Sequence, residues 1–150
     1  MLNFTTEQIV FQEVPDEVSL AYTISGCPLG CKGCHSADSW QINSGKHLTK
    51  DYFYQRLKTY QGLISCVLFL GGEWQADKLL SLLKLAKSQK LHTCLYTGLD
   101  NIPAQLKAEL TYLKTGRWNA ELGGLDSPVT NQKFFDLRTG ECLNYRFVRT

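Results

Sequence analysis

The chain has 150 residues, about the size of one ordinary domain and too short for a complete eight-stranded (β/α) barrel. Hydrophobic residues make up 43% and charged residues 20%, a balance that indicates a folded globular chain and excludes a disordered one. Sixteen scattered Lys and Arg against fourteen Asp and Glu leave a net charge of +2, which indicates neither nucleic acid nor an anionic membrane as a partner. We expect one domain over residues 1–150.

The amino-terminal segment and the cysteines indicate the compartment. Acidic residues, among them Glu7, Glu13 and Asp16, exclude a basic and then apolar signal peptide from the first twenty positions. No apolar run approaches the roughly 18 residues that a membrane-spanning helix needs. Six cysteines are present and three of them lie within eight residues, which favours metal or redox chemistry over disulfides. We therefore predict a cytoplasmic protein.

Hydrophobic periodicity predicts two strands and two helices in the first part of the chain. Residues 19–25 alternate as a strand that ends at Gly26, and residues 49–60 form a helix that Thr49 caps. The continuous apolar run Cys66–Leu70 is typical of a strand that is buried on both faces, as in a parallel sheet. Residues 76–90 then form an amphipathic helix.

The second part of the chain continues the alternation and then changes. Residues 91–96 and 111–114 are predicted strands, and a short helix with proline in its first turn lies between them at 103–110. This order predicts an α/β fold with a mostly parallel sheet and ligands at the carboxyl ends of the strands. Residues 132–137 and 142–148 are predicted to form a C-terminal hairpin.

Three cysteines directly follow the first of these strands, in the sequence GCPLGCKGCH. Cys27, Cys31 and Cys34 supply three thiolates on one glycine-rich loop, enough for three irons of a [4Fe–4S] cube, with the fourth left to a non-protein ligand. Zinc is the alternative, but its fourth ligand would be His35, which is awkward because it adjoins Cys34. A third alternative is that the cysteines are buried apolar residues. The iron–sulfur interpretation is favoured.

A glycine pair and a carboxylate follow the second buried strand, in the run Leu70-Gly71-Gly72-Glu73. Two glycines let the backbone approach a ligand closely, and a neighbouring carboxylate can receive an ammonium group. Without the cysteine loop, the same run would be interpreted as an ordinary strand-to-helix turn.

The C-x3-C-x2-C spacing and the GGE run together resemble the radical S-adenosylmethionine (AdoMet) superfamily. The resemblance implies that Cys27, Cys31 and Cys34 hold three irons and that AdoMet chelates the fourth through its amino and carboxylate groups. Reductive cleavage would then give methionine and a 5′-deoxyadenosyl radical. The residues implied to contact AdoMet are Gly33, Cys34, His35, Gly71, Gly72 and Glu73.

The whole chain resembles the family of small activating proteins of anaerobic ribonucleoside-triphosphate reductase. Two segments carry this resemblance. One is residues 35–40, which end at Trp40, and the other is residues 127–132, which end in Asn131-Gln132. It implies a truncated, open partial (β/α) barrel that makes a glycyl radical on the large reductase subunit, with reduced flavodoxin or ferredoxin as electron donor. Lys114 departs from the family, which carries an acidic residue on that strand.

Other functions remain open at this point. The same cofactors would serve activation of a pyruvate formate-lyase-like enzyme or a small-molecule reaction such as a ring contraction. A non-enzymatic electron carrier or a zinc-binding module is the alternative from another class.

Several further residues carry weaker predictions. Thr97 and Gly98 follow the third predicted strand and would lie near AdoMet. Trp74 would line an adenine site or simply pack. The three remaining cysteines are predicted to be packed thiols, namely Cys66, Cys94 and Cys142.

Overall fold

The computed structural model describes residues 2–26 and 45–147. Its strands are β1 Asn3–Val10, β2 Ser19–Ile24, β3 Lys46–His47, β4 Cys66–Leu70, β5 His92–Tyr96, β6 Tyr112–Thr115, β7 Lys133–Asp136 and β8 Glu141–Cys142. Its helices are α1 Lys50–Thr59, α2 Ala76–Ser88 and α3 Ala104–Lys107. These strands form one open sheet in the order β3-β1-β2-β4-β5-β6-β7-β8. The predicted α/β class is confirmed.

The sheet is mixed, which corrects the prediction of a mostly parallel sheet. Strands β2, β4, β5 and β6 run parallel, whereas β1 and β3 on one side and β7 and β8 on the other pair antiparallel. Strands β1 and β3 were not among the strands predicted from the sequence. The connection from β1 to β2, residues 11–18, contains no crossover helix, so the chain can only return antiparallel beside the strand it has left.

The central elements confirm their predictions because local signals determine them. The Thr49 hydroxyl accepts a hydrogen bond from the Tyr52 backbone N–H and so caps α1. Strand β4 has the predicted bounds, and α2 buries its predicted apolar side. The buried residues of α2 are Leu79, Leu82, Leu83 and Ala86.

The C-terminal hairpin forms, but its second strand is much shorter than the predicted 142–148. Strand β8 ends at Cys142, and a 3₁₀ turn over Asn144–Arg146 follows. The Asn144 side chain accepts from the Phe134 N–H and donates to the Gln132 carbonyl, both at 2.8 Å, which replaces the strand pairing at this point. Cys142 is exposed, so the prediction that it is a packed thiol is wrong.

The core lies on both faces of the sheet. The helices cover a large cluster on one face, in which Tyr22, Phe53 and Phe69 are fully buried. The other face carries a smaller cluster that includes Leu68 and Phe134, and it is partly covered by Val14 from residues 11–18 and by the C-terminal segment. Cys66 and Cys94 are fully buried in this smaller cluster, as predicted.

None of the helices in residues 2–26 and 45–147 is long and apolar enough to cross a membrane.

Candidate functional site at the carboxyl edge of the parallel strands

The carboxyl ends of the parallel strands meet at one edge of the sheet. Thr23 of β2 pairs with Leu70 of β4, Leu70 pairs with Tyr96 of β5, and Tyr96 pairs with Lys114 of β6. The GGE run directly follows Leu70, and the cysteine segment begins two residues after Ser25. The turn and Gly26, the last described residue before the cysteines, therefore share this edge, where open α/β sheets bind ligands.

Five of the predicted site residues lie outside the described residues and stay predictions. They are Cys27, Cys31, Gly33, Cys34 and His35.

The Gly71-Gly72 turn requires glycine for its backbone conformation. The φ angles are +93° at Gly71 and +111° at Gly72, in the region that side chains disfavour. The Gly71 N–H donates to the Tyr96 carbonyl at 2.9 Å, which holds the turn against β5. A Cβ on Gly72 would lie 3.4 Å from the Ile24 side chain, an ordinary contact, so at this position φ and not lack of space selects glycine.

Glu73 is a buried carboxyl group with one oxygen in use and one without a partner. Its Oε1 accepts from the Thr97 hydroxyl at 2.6 Å, and that hydroxyl accepts in turn from the Leu99 N–H at 3.1 Å. Because the Leu99 N–H can only donate, the single proton of the Thr97 hydroxyl is directed at Glu73. Glu73 Oε2 is buried and accepts no hydrogen bond from the described residues.

Burial and the neighbouring groups shift the pKa of Glu73 in opposite directions. Burial raises the pKa of Glu73, while the Thr97 hydroxyl, its own backbone N–H and the Lys114 charge offset part of that rise. A buried carboxylate oxygen without a partner is costly and gains most from an ammonium group that reaches it. An amino group carries the N–H donors that this oxygen lacks among the described residues.

Lys114 connects the ends of two neighbouring strands. Its Nζ donates to the Gly116 carbonyl at 3.2 Å and to the Thr97 carbonyl at 3.5 Å, and it lies 5.6 Å from the centroid of the Tyr96 ring. Lys114 thus stands close to Thr97 and adds positive potential near Glu73. The sequence analysis treated this lysine only as a departure, because nothing local shows which carbonyls it meets.

The late segment 127–132 lies against the chain that leaves β6. The Asn131 side chain donates to the Arg117 carbonyl at 3.1 Å, and the Gln132 side chain donates to the Gly116 carbonyl at 3.3 Å. Both amides therefore hold backbone at the carboxyl edge. Their role in the described residues is to position the exit from β6.

Trp74 packs against the helix-covered core and is half-buried. Its six-membered ring faces Gly71, because a Cβ on Gly71 would lie 2.6 Å from Trp74 Cη2. Packing, one of the two predicted roles of Trp74, is therefore observed. Its contact with Gly71 was not foreseen, since the two residues meet only through the turn.

The fold and this edge define an α/β protein whose parallel strands present a glycine turn and a buried carboxylate at one edge of the sheet. The chain belongs to the 4Fe–4S single cluster domain family, whose sequence profile matches residues 18–116, more than half of the chain. The matched region contains both the cysteine segment and the GGE turn.

Similar proteins share part of this chain. The pyruvate formate-lyase-activating enzyme of Clostridium pasteurianum is 36% identical over 79 residues, 49% of this chain and 33% of that protein. The pyruvate formate-lyase 1-activating enzyme of Escherichia coli K12 is 31% identical over 79 residues, 49% of this chain and 32% of that protein. The pyruvate formate-lyase-activating enzyme of Streptococcus mutans is 32% identical over 81 residues, which are 49% of this chain and 31% of that protein. Each match thus spans about a third of the relative.

The family and these relatives support the predicted cofactors, a [4Fe–4S] cluster together with AdoMet.

Proposed function

We propose that this chain is a radical AdoMet activase that generates a glycyl radical on a large partner enzyme, anaerobic ribonucleoside-triphosphate reductase. The observation that carries the proposal is the buried, unpartnered oxygen of Glu73 at the edge where the three-cysteine segment begins. Membership in the 4Fe–4S single cluster domain family and the similarity to activating enzymes support the same chemistry.

When bound, the cluster and AdoMet supply a one-electron cleavage that yields a carbon radical able to remove a hydrogen atom from a glycine Cα. In this proposal Cys27, Cys31 and Cys34 hold the cluster. Glu73 Oε2 would accept an N–H hydrogen bond from the AdoMet amino group, and the Gly71-Gly72 backbone would lie close to its methionyl part.

In this proposal, neighbouring residues orient Glu73 and complete the AdoMet site. The Thr97 hydroxyl orients the Glu73 carboxylate, and the proposed contacts at Gly33 and His35 complete the AdoMet site from the cysteine segment. A large partner that closes over the edge would exclude water from the radical.

The choice of reductase as the target rests on the sequence. The run that ends at Trp40 and the segment that ends in Asn131-Gln132 resemble the reductase activators, and the described part of that segment lies beside the carboxyl edge. We propose reduced flavodoxin or ferredoxin as the electron donor. A pyruvate formate-lyase-type enzyme is the second candidate target, because the relatives that share 31–36% identity activate pyruvate formate-lyase by name.

The test is anaerobic reconstitution with iron and sulfide, followed by AdoMet, dithionite and each candidate target from the same source. Electron paramagnetic resonance should show a doublet on the reductase, split by the glycine α-hydrogen, which becomes a singlet when that glycine is deuterated at Cα. A lyase incubated in parallel is the matched control.

Three results separate the possibilities. A radical on the reductase alone supports the proposal, and a radical on the lyase alone supports the second candidate. An intact cluster that never cleaves AdoMet contradicts the proposed enzyme activity and favours an electron carrier.

A further inference from the structure

We infer that Trp74 is a positioning residue that holds the Gly71-Gly72 turn and thereby aims the Glu73 carboxylate. This inference rests on the proposed AdoMet site. No residue of the cysteine segment takes part in it, because all of the contacts lie among the residues that the structure describes.

The turn by itself has little to hold it. Two successive glycines at φ +93° and +111° have more conformational freedom than any other residue pair, and the Gly71 N–H to Tyr96 carbonyl bond restrains only the first of them. The Gln75 N–H to Gly72 carbonyl bond, at 3.0 Å, closes the 3₁₀ turn after the pair. Other contacts must therefore restrict the backbone freedom of these glycines if Glu73 is to keep one orientation.

The Trp74 ring supplies a restraint on the other side of Gly71. A Cβ placed on Gly71 would lie 2.6 Å from Cη2, 3.2 Å from Cζ3 and 3.6 Å from Cζ2 of Trp74. The flat ring therefore fills the space in which a side chain would stand and contacts the Gly71 backbone directly. Since Trp74 also packs against the helix-covered core, the ring connects the turn to a rigid part of the molecule.

Glu73 lies between the two contacts. It follows the restrained glycines and directly precedes Trp74, and the 3₁₀ turn Glu73–Gln75 contains both residues. The Thr97 hydroxyl fixes the end of its side chain, and the Trp74 ring restrains the backbone from which that side chain starts. Without the ring, the backbone would move and Oε2 would lose its fixed position before any ligand arrives.

The first experiment measures AdoMet affinity by equilibrium dialysis on reconstituted protein with the same iron content. Trp74→Ala should weaken binding about tenfold, and Trp74→Phe, which keeps a flat ring but lacks the outer indole atoms nearest Gly71, should bind more tightly than Trp74→Ala. Leu85→Ala is the matched control, because Leu85 packs against the same core from α2 without touching the turn. It should lower the melting temperature while it keeps the affinity within about twofold.

The second experiment tests the contact itself without ligand. Gly71→Ala should lower the melting temperature in the wild type, because the new Cβ collides with the ring and φ is positive, and it should lower it less in a Trp74→Ala background. Equal losses in both backgrounds would show that the ring does not restrain Gly71.

The outcomes keep this inference apart from the proposed function. If the wild-type protein with a full cluster does not bind AdoMet, the proposed function is wrong. The inference is overturned if the wild type binds AdoMet and the affinities of Trp74→Phe and Trp74→Ala are equal. It is also overturned if Leu85→Ala weakens AdoMet binding as much as Trp74→Ala does. In either case Trp74 contributes only to packing.

Discussion

Glu73 is a carboxyl group that folding has removed from most of its contact with water. It is 8% exposed, and the Thr97 hydroxyl is the one side chain that donates to it within the described residues. A single neutral hydroxyl does not compensate a buried charge fully. The remaining oxygen is therefore a group whose stabilisation depends on what binds there.

Replacing Glu73 by glutamine should separate binding from stability. Glu73→Gln keeps an acceptor for Thr97 but removes the charge, so AdoMet affinity should fall at least about tenfold while cluster iron is retained. The free energy of unfolding at pH 7 should not fall. Equilibrium dialysis and urea denaturation measure the two quantities, and unchanged affinity would show that Glu73 does not bind the amino group of AdoMet.

The same substitution should change the pH dependence of stability. Because burial raises the pKa of Glu73, the folded chain keeps this proton at pH values where the unfolded chain has lost it. The free energy of unfolding therefore falls as the pH rises from the ordinary glutamate value toward the raised one. Glu73→Gln should lack this fall, as urea titrations between about pH 4 and 7 would show.

The six cysteines should divide into two groups. Cys27→Ala, Cys31→Ala and Cys34→Ala should each abolish the visible absorption of the cluster and AdoMet cleavage, because two thiolates cannot hold three irons. Cys66→Ala, Cys94→Ala and Cys142→Ala are the controls and should keep both, since Cys66 and Cys94 are core thiols whose pKa burial raises and Cys142 is exposed. Full iron content in a variant of the first group would contradict the ligand assignment.

At the scale of the element, the stability of helix α1 depends on the cap at its amino end. Helix α1 directly follows the short strand β3 and begins at the Thr49 cap, with Asp51 in its first turn. A side-chain cap satisfies a backbone N–H that the helix cannot pair internally. The amino end of α1 therefore has its own energetic signal, which explains why this bound agrees with the sequence.

Removing the cap should have a measurable and local cost. Thr49→Ala should lower the free energy of unfolding by about 1 kcal/mol, because the Tyr52 N–H loses its acceptor. Thr59→Ala at the other end of α1 is the matched control and should change it by less than about 0.5 kcal/mol, since Thr59 is exposed and bonds only to the Gln55 carbonyl of its own helix. Urea denaturation measures both, and equal effects would contradict the capping role.

At the scale of the whole molecule, a polar network joins distant segments at the sheet edge opposite the site. Glu17 Oε2 lies 2.6 Å from His92 Nδ1 and accepts from the Tyr112 hydroxyl at 2.7 Å. Arg138 donates to that hydroxyl at 3.1 Å and pairs with Asp136 at 2.9 Å. The network connects residues 11–18, β5, β6 and the C-terminal hairpin, and it holds the smaller core closed while the ligand edge stays separate.

Disrupting this network should destabilise the fold without removing the site. Glu17→Ala should lower the free energy of unfolding by about 2–4 kcal/mol, because Glu17 is buried and its partners lose their acceptor. Glu13→Ala is the control and should cost less than about 0.5 kcal/mol, since that side chain is exposed. Surviving variants should bind AdoMet normally, and equal stability losses would contradict the network.

The sequence by itself determined the elements whose signals are local. The Thr49 cap, the continuous apolar run of β4 and the apolar stripe of α2 each lie within a few neighbouring residues, and so does the GGE run. Periodicity and capping depend on contacts between residues close in the chain, which is why these predictions agree with the structure.

The tertiary structure decided what depends on residues far apart in the chain. The antiparallel pairing of β1, the end of β8 at Cys142 and the Thr97 contact with Glu73 all follow from which backbone groups meet across the sheet. Strand register and side-chain direction determine these contacts, and neither can be predicted from the spacing of residues in the sequence alone. In the sequence, Glu73 resembles an ordinary turn residue. Only the tertiary structure shows that it is buried, that Thr97 orients it and that its Oε2 has no hydrogen-bond partner among the described residues.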